Sequence, residues 1–180
     1  LIEPRFYRTL KHLATIMKQI FLLRHAKSDW STMGQKDFDR PLAKRGVNDA
    51  LLIAQHIQDM GYSIDMVFCS TAQRTKETFD LCADSFNFKI EKATYLEELY
   101  FGTVDTLVDL IKSLNEKFSS VLVVGHNPTM QFFLEELTGK TLNNFSTCGL
   151  AQICTENSWK DLPLKNCELK SFIKPKDLKF

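Results

Sequence analysis

Long apolar runs are missing from this 180-residue chain. None approaches the eighteen or so residues that a membrane-crossing helix requires, so no such span is expected. Charge of one sign is missing as well. Lys and Arg number 23 and Asp and Glu 22, a formal net of +1. That balance excludes a protein that holds nucleic acid or an anionic membrane by bulk charge. Cysteine pairs are absent: Cys69, Cys82, Cys148, Cys154 and Cys167 form no CxxC and are odd in number. Free thiols in a reducing compartment, the cytoplasm, are expected. His12, His25, His56 and His126 have no zinc-type spacing, so the histidines suggest no metal. The glycines of a phosphate-cradling P-loop are lacking, and so are internal repeats and low-complexity segments.

What is there reads as one globular domain. Hydrophobic residues make up 44% and charged residues 25%, an ordinary balance for a folded protein with a core that needs no cross-links. Residues 1–16 carry three basic residues and one acidic one and have neither the apolar stretch nor the cleavage site of a secretory leader. Met17 directly precedes the first convincing strand. We read 1–16 as an upstream or non-native extension and 17–180 as the single domain. The spacing of Phe6, Leu10, Leu13 and Met17 also permits a native N-terminal helix.

Short apolar strands are expected at Lys18–Arg24, Met66–Cys69, near Lys92–Leu96 and at Ser120–Val124. Between them the pattern predicts helices: from Pro41 to about Met60, stopped by Gly61; after Ser70 and Thr71 as caps, to about Cys82; from about Val104 to Phe118; and after Gly125-His-Asn-Pro128, ending near Gly139. A loop rich in Ser, Asp and Gly runs from Lys27 to about Asp39. Leu150–Thr155 and Glu168–Ile173 read as further strands joined by a polar loop holding Trp159 and Pro163. Apolar strands alternating with helices predict an α/β fold, a mostly parallel sheet with helices on both faces.

Such sheets place ligands at the carboxyl ends of their strands. The first strand ends in Arg24-His25. The second leads to Arg74 in the first turn of the next helix, and the strongest ends in Gly125-His126. Two Arg and two His from three distant segments thus converge on one sheet edge. Guanidinium forks bind phosphoryl oxygens bidentately. A neutral imidazole can attack phosphorus and hold the group covalently. The second imidazole and the helix N-terminus after Ser70 can add donors. The reaction class is phosphoryl transfer through a phosphohistidine.

These residues carry a family likeness. Leu22-Leu-Arg-His-Ala-Lys-Ser-Asp-Trp30 resembles the Arg-His signature of the histidine phosphatase (phosphoglycerate-mutase-like) superfamily. Ala26, where most members have Gly, and Lys27-Ser28 resemble its SixA-type phosphohistidine phosphatase branch. Asp39-Arg-Pro-Leu-Ala-Lys-Arg-Gly46, Cys69-Ser-Thr-Ala-Gln-Arg-Thr-Lys-Glu-Thr78 and Val123-Val-Gly-His-Asn-Pro128 are similar to further blocks of that branch, as is the C-terminal pattern of Trp159, Phe172, Pro175 and Leu178. The resemblance runs from about Met17 to the end. It implies a three-layer α/β sandwich, His25 as nucleophile, and Arg24, Arg74 and His126 as the phosphate pocket. It implies no metal or other cofactor. Ser28 and Arg40 fall near the pocket rim as substrate-binding candidates. The implied partner is a phosphorylated protein in signal transduction, such as a histidine-containing phosphotransfer domain, or else a small phosphorylated substrate.

Ester-cleaving members use an acid to protonate the leaving alcohol, with a Glu four residues before a Gly. Glu98-Leu-Tyr-Phe-Gly102 has that spacing, beside Glu97. An alkoxide needs that proton; an imidazole leaves without it. Glu98 therefore separates two expectations, a phosphohistidine phosphatase and a phosphatase of a small ester. A phosphate-binding module without catalysis is a third. Cysteine catalysis is disfavoured, because Cys69 and Arg74 are separated by four residues where a cysteine-phosphatase loop needs five. Little sequence remains for a lid, so an open site is expected.

Overall fold

In a computed structural model, which describes residues 17–179, the chain forms β1 (Lys18–Arg24), α1 (Lys44–Met60), β2 (Met66–Ser70), α2 (Gln73–Cys82), β3 (Thr94–Leu96), α3 (Glu98–Phe101), α4 (Val104–Lys112), β4 (Ser120–Gly125), α5 (Thr129–Thr138), β5 (Leu150–Thr155) and β6 (Glu168–Ile173). The expectation of an extension over 1–16 lies outside the described residues.

The layers follow from the period of the strands. Successive side chains of a strand leave opposite faces. In β1, Ile20 and Leu22 join a core with Val121, Val123, Leu107, Ile111, Phe133 and Leu134, under α4 and α5. Phe21 and Leu23 join the opposite core with Leu122, Val124, Ile53, Ile57 and Phe79, under α1 and α2. The unbroken apolar runs Ile20–Leu23 of β1 and Val121–Val124 of β4 thus mean burial on both faces, the α/β arrangement expected.

The sheet runs in the order β3-β2-β4-β1-β5-β6. The pairs β3/β2, β2/β4 and β4/β1 are parallel, and β1/β5 and β5/β6 are antiparallel. Crossover helices return a strand parallel, whereas β5 and β6 are joined by a loop. The sheet is therefore mixed, parallel in the half that carries the site.

Several expected boundaries shift. Pro41 does not open α1, which starts at Lys44. Pro41 accepts from the Asp29 amide, Leu42 pairs with Ser28, and the Ala43 amide bonds to Lys27 at 2.9 Å, all of which pin the loop that follows His25. Gly46 lies so close to that loop that a Cβ there would meet the Lys27 carbonyl oxygen at 2.1 Å. Its absent side chain is what lets helix and loop touch. The helix expected to reach Phe118 ends at Lys112, with Ser113 as C-cap and the Asn115 side chain turning the chain by accepting from Lys117. Ser70 and Thr71 do not cap α2; Ala72 is its N-cap. Ser70 ends β2 and turns its hydroxyl to His126. Trp159 lies in the expected loop between β5 and β6, with its ring in the core: it is fully buried and its indole N–H donates to the Phe118 carbonyl at 2.9 Å.

Candidate active site

Strand register assembles the site. Arg24 lies opposite Gly125 in the β1/β4 pair, and Cys69 opposite Val124 in β2/β4. Arg24, Ser70 and Gly125 therefore end three adjacent parallel strands in one row, with His25 and His126 one residue beyond two of them. The His25 amide donates to the Gly125 carbonyl at 3.0 Å and its carbonyl accepts from the Cys148 amide at 3.0 Å. Ala26 is fully buried, and its amide donates to Thr78 Oγ1 at 2.9 Å. The segment carrying His25 is held on both sides.

The two imidazoles stand 5.2 Å apart between ring centroids. His25 Nδ1 lies 2.8 Å from the Ala26 carbonyl oxygen. A carbonyl only accepts, so Nδ1 carries the hydrogen and Nε2 keeps its lone pair. Burial and three nearby guanidinium groups (Arg74, Arg24 and Arg40) lower the His25 pKa from 6.5 to about 4, against the bond to Ala26. His126 is lowered to about 3, by burial first, then His25 and Arg74. Its Nδ1 faces Arg74 Nη2 at 3.5 Å and its Nε2 lies 2.9 Å from Ser70 Oγ. Because the guanidinium only donates, Nδ1 accepts and Nε2–H donates to Ser70.

Arg24 donates through Nη1 to the Phe145 carbonyl at 2.7 Å, and its buried Nε has no hydrogen-bond partner among the described residues. Its pKa is lowered by burial and then by Arg74. Two guanidinium groups aimed at one small space, one of them with an idle donor, make a place for an anion with several oxygens.

The structure thus brings Arg24, His25, Arg74 and His126 together. Ser28 and Arg40 meet each other: Arg40 is buried, donating to Ser28 Oγ, to the Asp29 carbonyl at 2.8 Å and to Asp37 Oδ1 at 2.6 Å, with its guanidinium over the Trp30 ring. Glu97 and Glu98 are exposed, and among the described residues no hydrogen bond or ion pair joins Glu98 to the pocket. Tyr100, two residues on, is what reaches it, edge-on to His126 at 5.2 Å. Asp37, which sequence reasoning missed, bonds Arg74 through both its carbonyl and its carboxylate, which ties the loop from Lys27 to Asp39 to the site. Cys69 is fully buried and burial pushes its thiol far up, so it is no thiolate nucleophile. None of the five cysteines is bonded to another. Among the described residues no helix is long and apolar enough to cross a membrane.

The histidines carry a measurable consequence. Unfolded imidazoles take up protons from pH 6.5 down, but His25 and His126 in the folded chain do so only near about 4 and about 3. Their contribution to stability is therefore complete above pH 6.5 and is lost as pH falls toward those lower values, because the unfolded state then binds more protons. NMR titration of the His25 ring is expected to show no change between about pH 7 and pH 5. A midpoint near the free-imidazole value would overturn the assignment of a neutral ring.

Fold and site together define an α/β phosphoryl-transfer enzyme with paired Arg and His at strand ends. The model of the histidine phosphatase superfamily (branch 1) matches residues 20–118, a span that contains Arg24, His25 and Arg74 and stops before His126. An uncharacterized protein of Mycobacterium leprae (strain TN) is 32% identical over 166 residues, 86% of this chain and 100% of its own length. The phosphohistidine phosphatase SixA of Escherichia coli (strain K12) is 28% identical over 142 residues, 78% of this chain and 87% of its own. A solved structure of the protein histidine phosphatase SixA complexed with tungstate superimposes with a TM-score of 0.77 at 27% identity, covering 89% of this chain and 99% of that one. The chain belongs to the histidine phosphatase superfamily. It is a hydrolase, a phosphatase that resembles the SixA proteins in sequence and fold.

Proposed function

We propose that the protein removes phosphoryl groups from phosphohistidine on another protein, through a covalent phosphohistidine on His25. The observation that carries this reading is the bond from His25 Nδ1 to the Ala26 carbonyl, which leaves Nε2 unprotonated for attack. In the first step Nε2 bonds to phosphorus, and the bond from phosphorus to the leaving nitrogen breaks with its electron pair going to that ring, which is protonated on its other nitrogen and so leaves as neutral imidazole. Arg24 and Arg74 hold the non-bridging oxygens as charge moves onto them, and His126, which accepts from Arg74 and donates to Ser70, helps to place the Arg74 guanidinium. Water then attacks phosphorus, the bond to Nε2 breaks, and phosphate leaves with the regenerated imidazole.

The choice of substrate rests on the leaving group. An ester would need an acid beside the departing oxygen, and Glu98, exposed at the start of α3, bonds none of the four pocket residues. An imidazole departs without one. The similarity to proteins named phosphohistidine phosphatase supports the same reading. A histidine-containing phosphotransfer domain is the partner we favour, in a cytoplasmic signalling role.

A substrate panel tests it. Phosphohistidine protein is expected to give the largest kcat/KM, above aryl and sugar phosphates, and Glu98→Gln is expected to leave that reaction unchanged. Sugar phosphate turnover that exceeds phosphohistidine turnover, and that falls in Glu98→Gln, would reverse the assignment in favour of an ester phosphatase with Glu98 as acid.

A further inference from the structure

The site gathers two guanidinium groups, yet a carboxylate is bonded to one of them. Asp37 opens the short turn Asp37–Asp39 in the loop after His25. Its Oδ2 accepts from Arg74 Nη2 at 2.9 Å and from the Tyr100 hydroxyl, and its Oδ1 accepts from Arg40 Nη1 at 2.6 Å. Its carbonyl accepts from Arg74 Nη1 at 2.6 Å. These donors hold the group anionic, with a pKa of about 2, so it is no acid for a leaving group. A carboxylate has about four lone-pair sites, and three are taken. The side chain is 44% exposed, so the remaining site on Oδ1 is within reach of an incoming molecule. A fixed anion beside a phosphate site opposes the phosphate and favours a substrate that carries a positive charge next to it.

We propose that Asp37 is a specificity-determining residue that reads a cationic leaving group. Its free lone pair accepts the N–H of a protonated nitrogen base bonded to phosphorus, such as the ring-protonated imidazole of phosphohistidine, and its charge repels phosphate esters with anionic bodies. The inference rests on the phosphohistidine reading above. In that protonated form the bond between phosphorus and nitrogen breaks with its pair going to the ring, which leaves as neutral imidazole already carrying its N–H. Asp37 recognises the bound substrate, so its effect falls chiefly on KM.

The test compares kcat/KM for phosphoimidazole, 3-phosphoglycerate and 4-nitrophenyl phosphate at one mildly acidic pH. Asp37→Asn is expected to lower the phosphoimidazole value about tenfold through KM, the size of one charged hydrogen bond, and to leave or raise the 3-phosphoglycerate value. Asp37→Ser removes the same charge with a different shape and is expected to give the same ratio. Asp39→Asn removes an equal charge two residues away and is expected to leave the ratio alone. If Asp37 merely positioned Arg74, all three substrates and inhibition by inorganic phosphate would weaken together and the ratio would hold, which overturns the proposal. Disagreement between the two Asp37 variants, or an equal shift in Asp39→Asn, also overturns it. A wild-type enzyme that ignores phosphoimidazole removes the phosphohistidine reading and this inference with it. One that cleaves phosphoimidazole, with an unchanged ratio in Asp37→Asn, removes this inference only.

Discussion

His25→Ala is expected to lower turnover of every substrate by about 10⁴-fold or more, the scale on which removal of a covalent nucleophile acts. The substitution takes away a ring nitrogen with an uncommitted lone pair in a ring beside His126, Arg24 and Arg74. His25 Nδ1 is bonded to Ala26, and His126 has both ring nitrogens engaged, with Arg74 and Ser70. Among the described residues no second imidazole stands ready to replace it. The fold is expected to persist, because His25 is only half-buried and its ring makes one hydrogen bond, to its neighbour Ala26. The measurement is kcat on phosphohistidine protein together with trapping of an acid-labile phosphoenzyme. Wild type should show the trapped species on His25. Activity retained in the variant, or a phosphoenzyme formed elsewhere, would overturn the assignment.

Arg74→Ala is expected to cost about 10²- to 10³-fold in kcat/KM, the loss typical of one preorganised group that stabilises developing charge. Arg74 is buried and serves several partners: the Asp37 carboxylate and carbonyl, and His126 Nδ1 at 3.5 Å. Its removal deprives the phosphoryl oxygens of a fork of donors and frees Asp37 to face the phosphate with less charge to balance it. Arg74→Lys is expected to recover only part of the loss, since an ammonium is a point charge and cannot hold two oxygens in a plane. Inhibition by inorganic phosphate should weaken alongside. A loss below about threefold in both would mean that Arg24 alone carries the anion, contrary to the convergence of both guanidinium groups on the pocket.

Much of this was legible before any coordinates. Arg24, His25 and His126 follow directly on apolar runs, and Arg74 lies in the first turn of the helix after one, so their sequence context already placed them at strand ends. Asp37 and Tyr100 were not legible. Asp37 sits two residues before the block that begins at Asp39, in a loop with no periodicity to read. Tyr100 lies inside the Glu98–Gly102 segment, where the spacing drew attention to Glu98. The side chain that reaches the pocket is nevertheless Tyr100, bonded to Asp37 across 63 positions. Trp159 lies in the loop that its polar neighbours mark, but the burial of its ring in the core could not be read from that loop.

The sequence by itself determined which residues could do chemistry and which stretches would be strands and helices, because hydrophobic periodicity and strand-end position are local properties. Only the tertiary structure decided which nitrogen of His25 is free, that Arg24 turns to Phe145 across 121 positions, and that the Asp37 carboxylate is bonded to Arg74. Those outcomes depend on hydrogen-bond partners supplied by distant segments, and such partners exist only once sheet register and loop packing have brought the segments together.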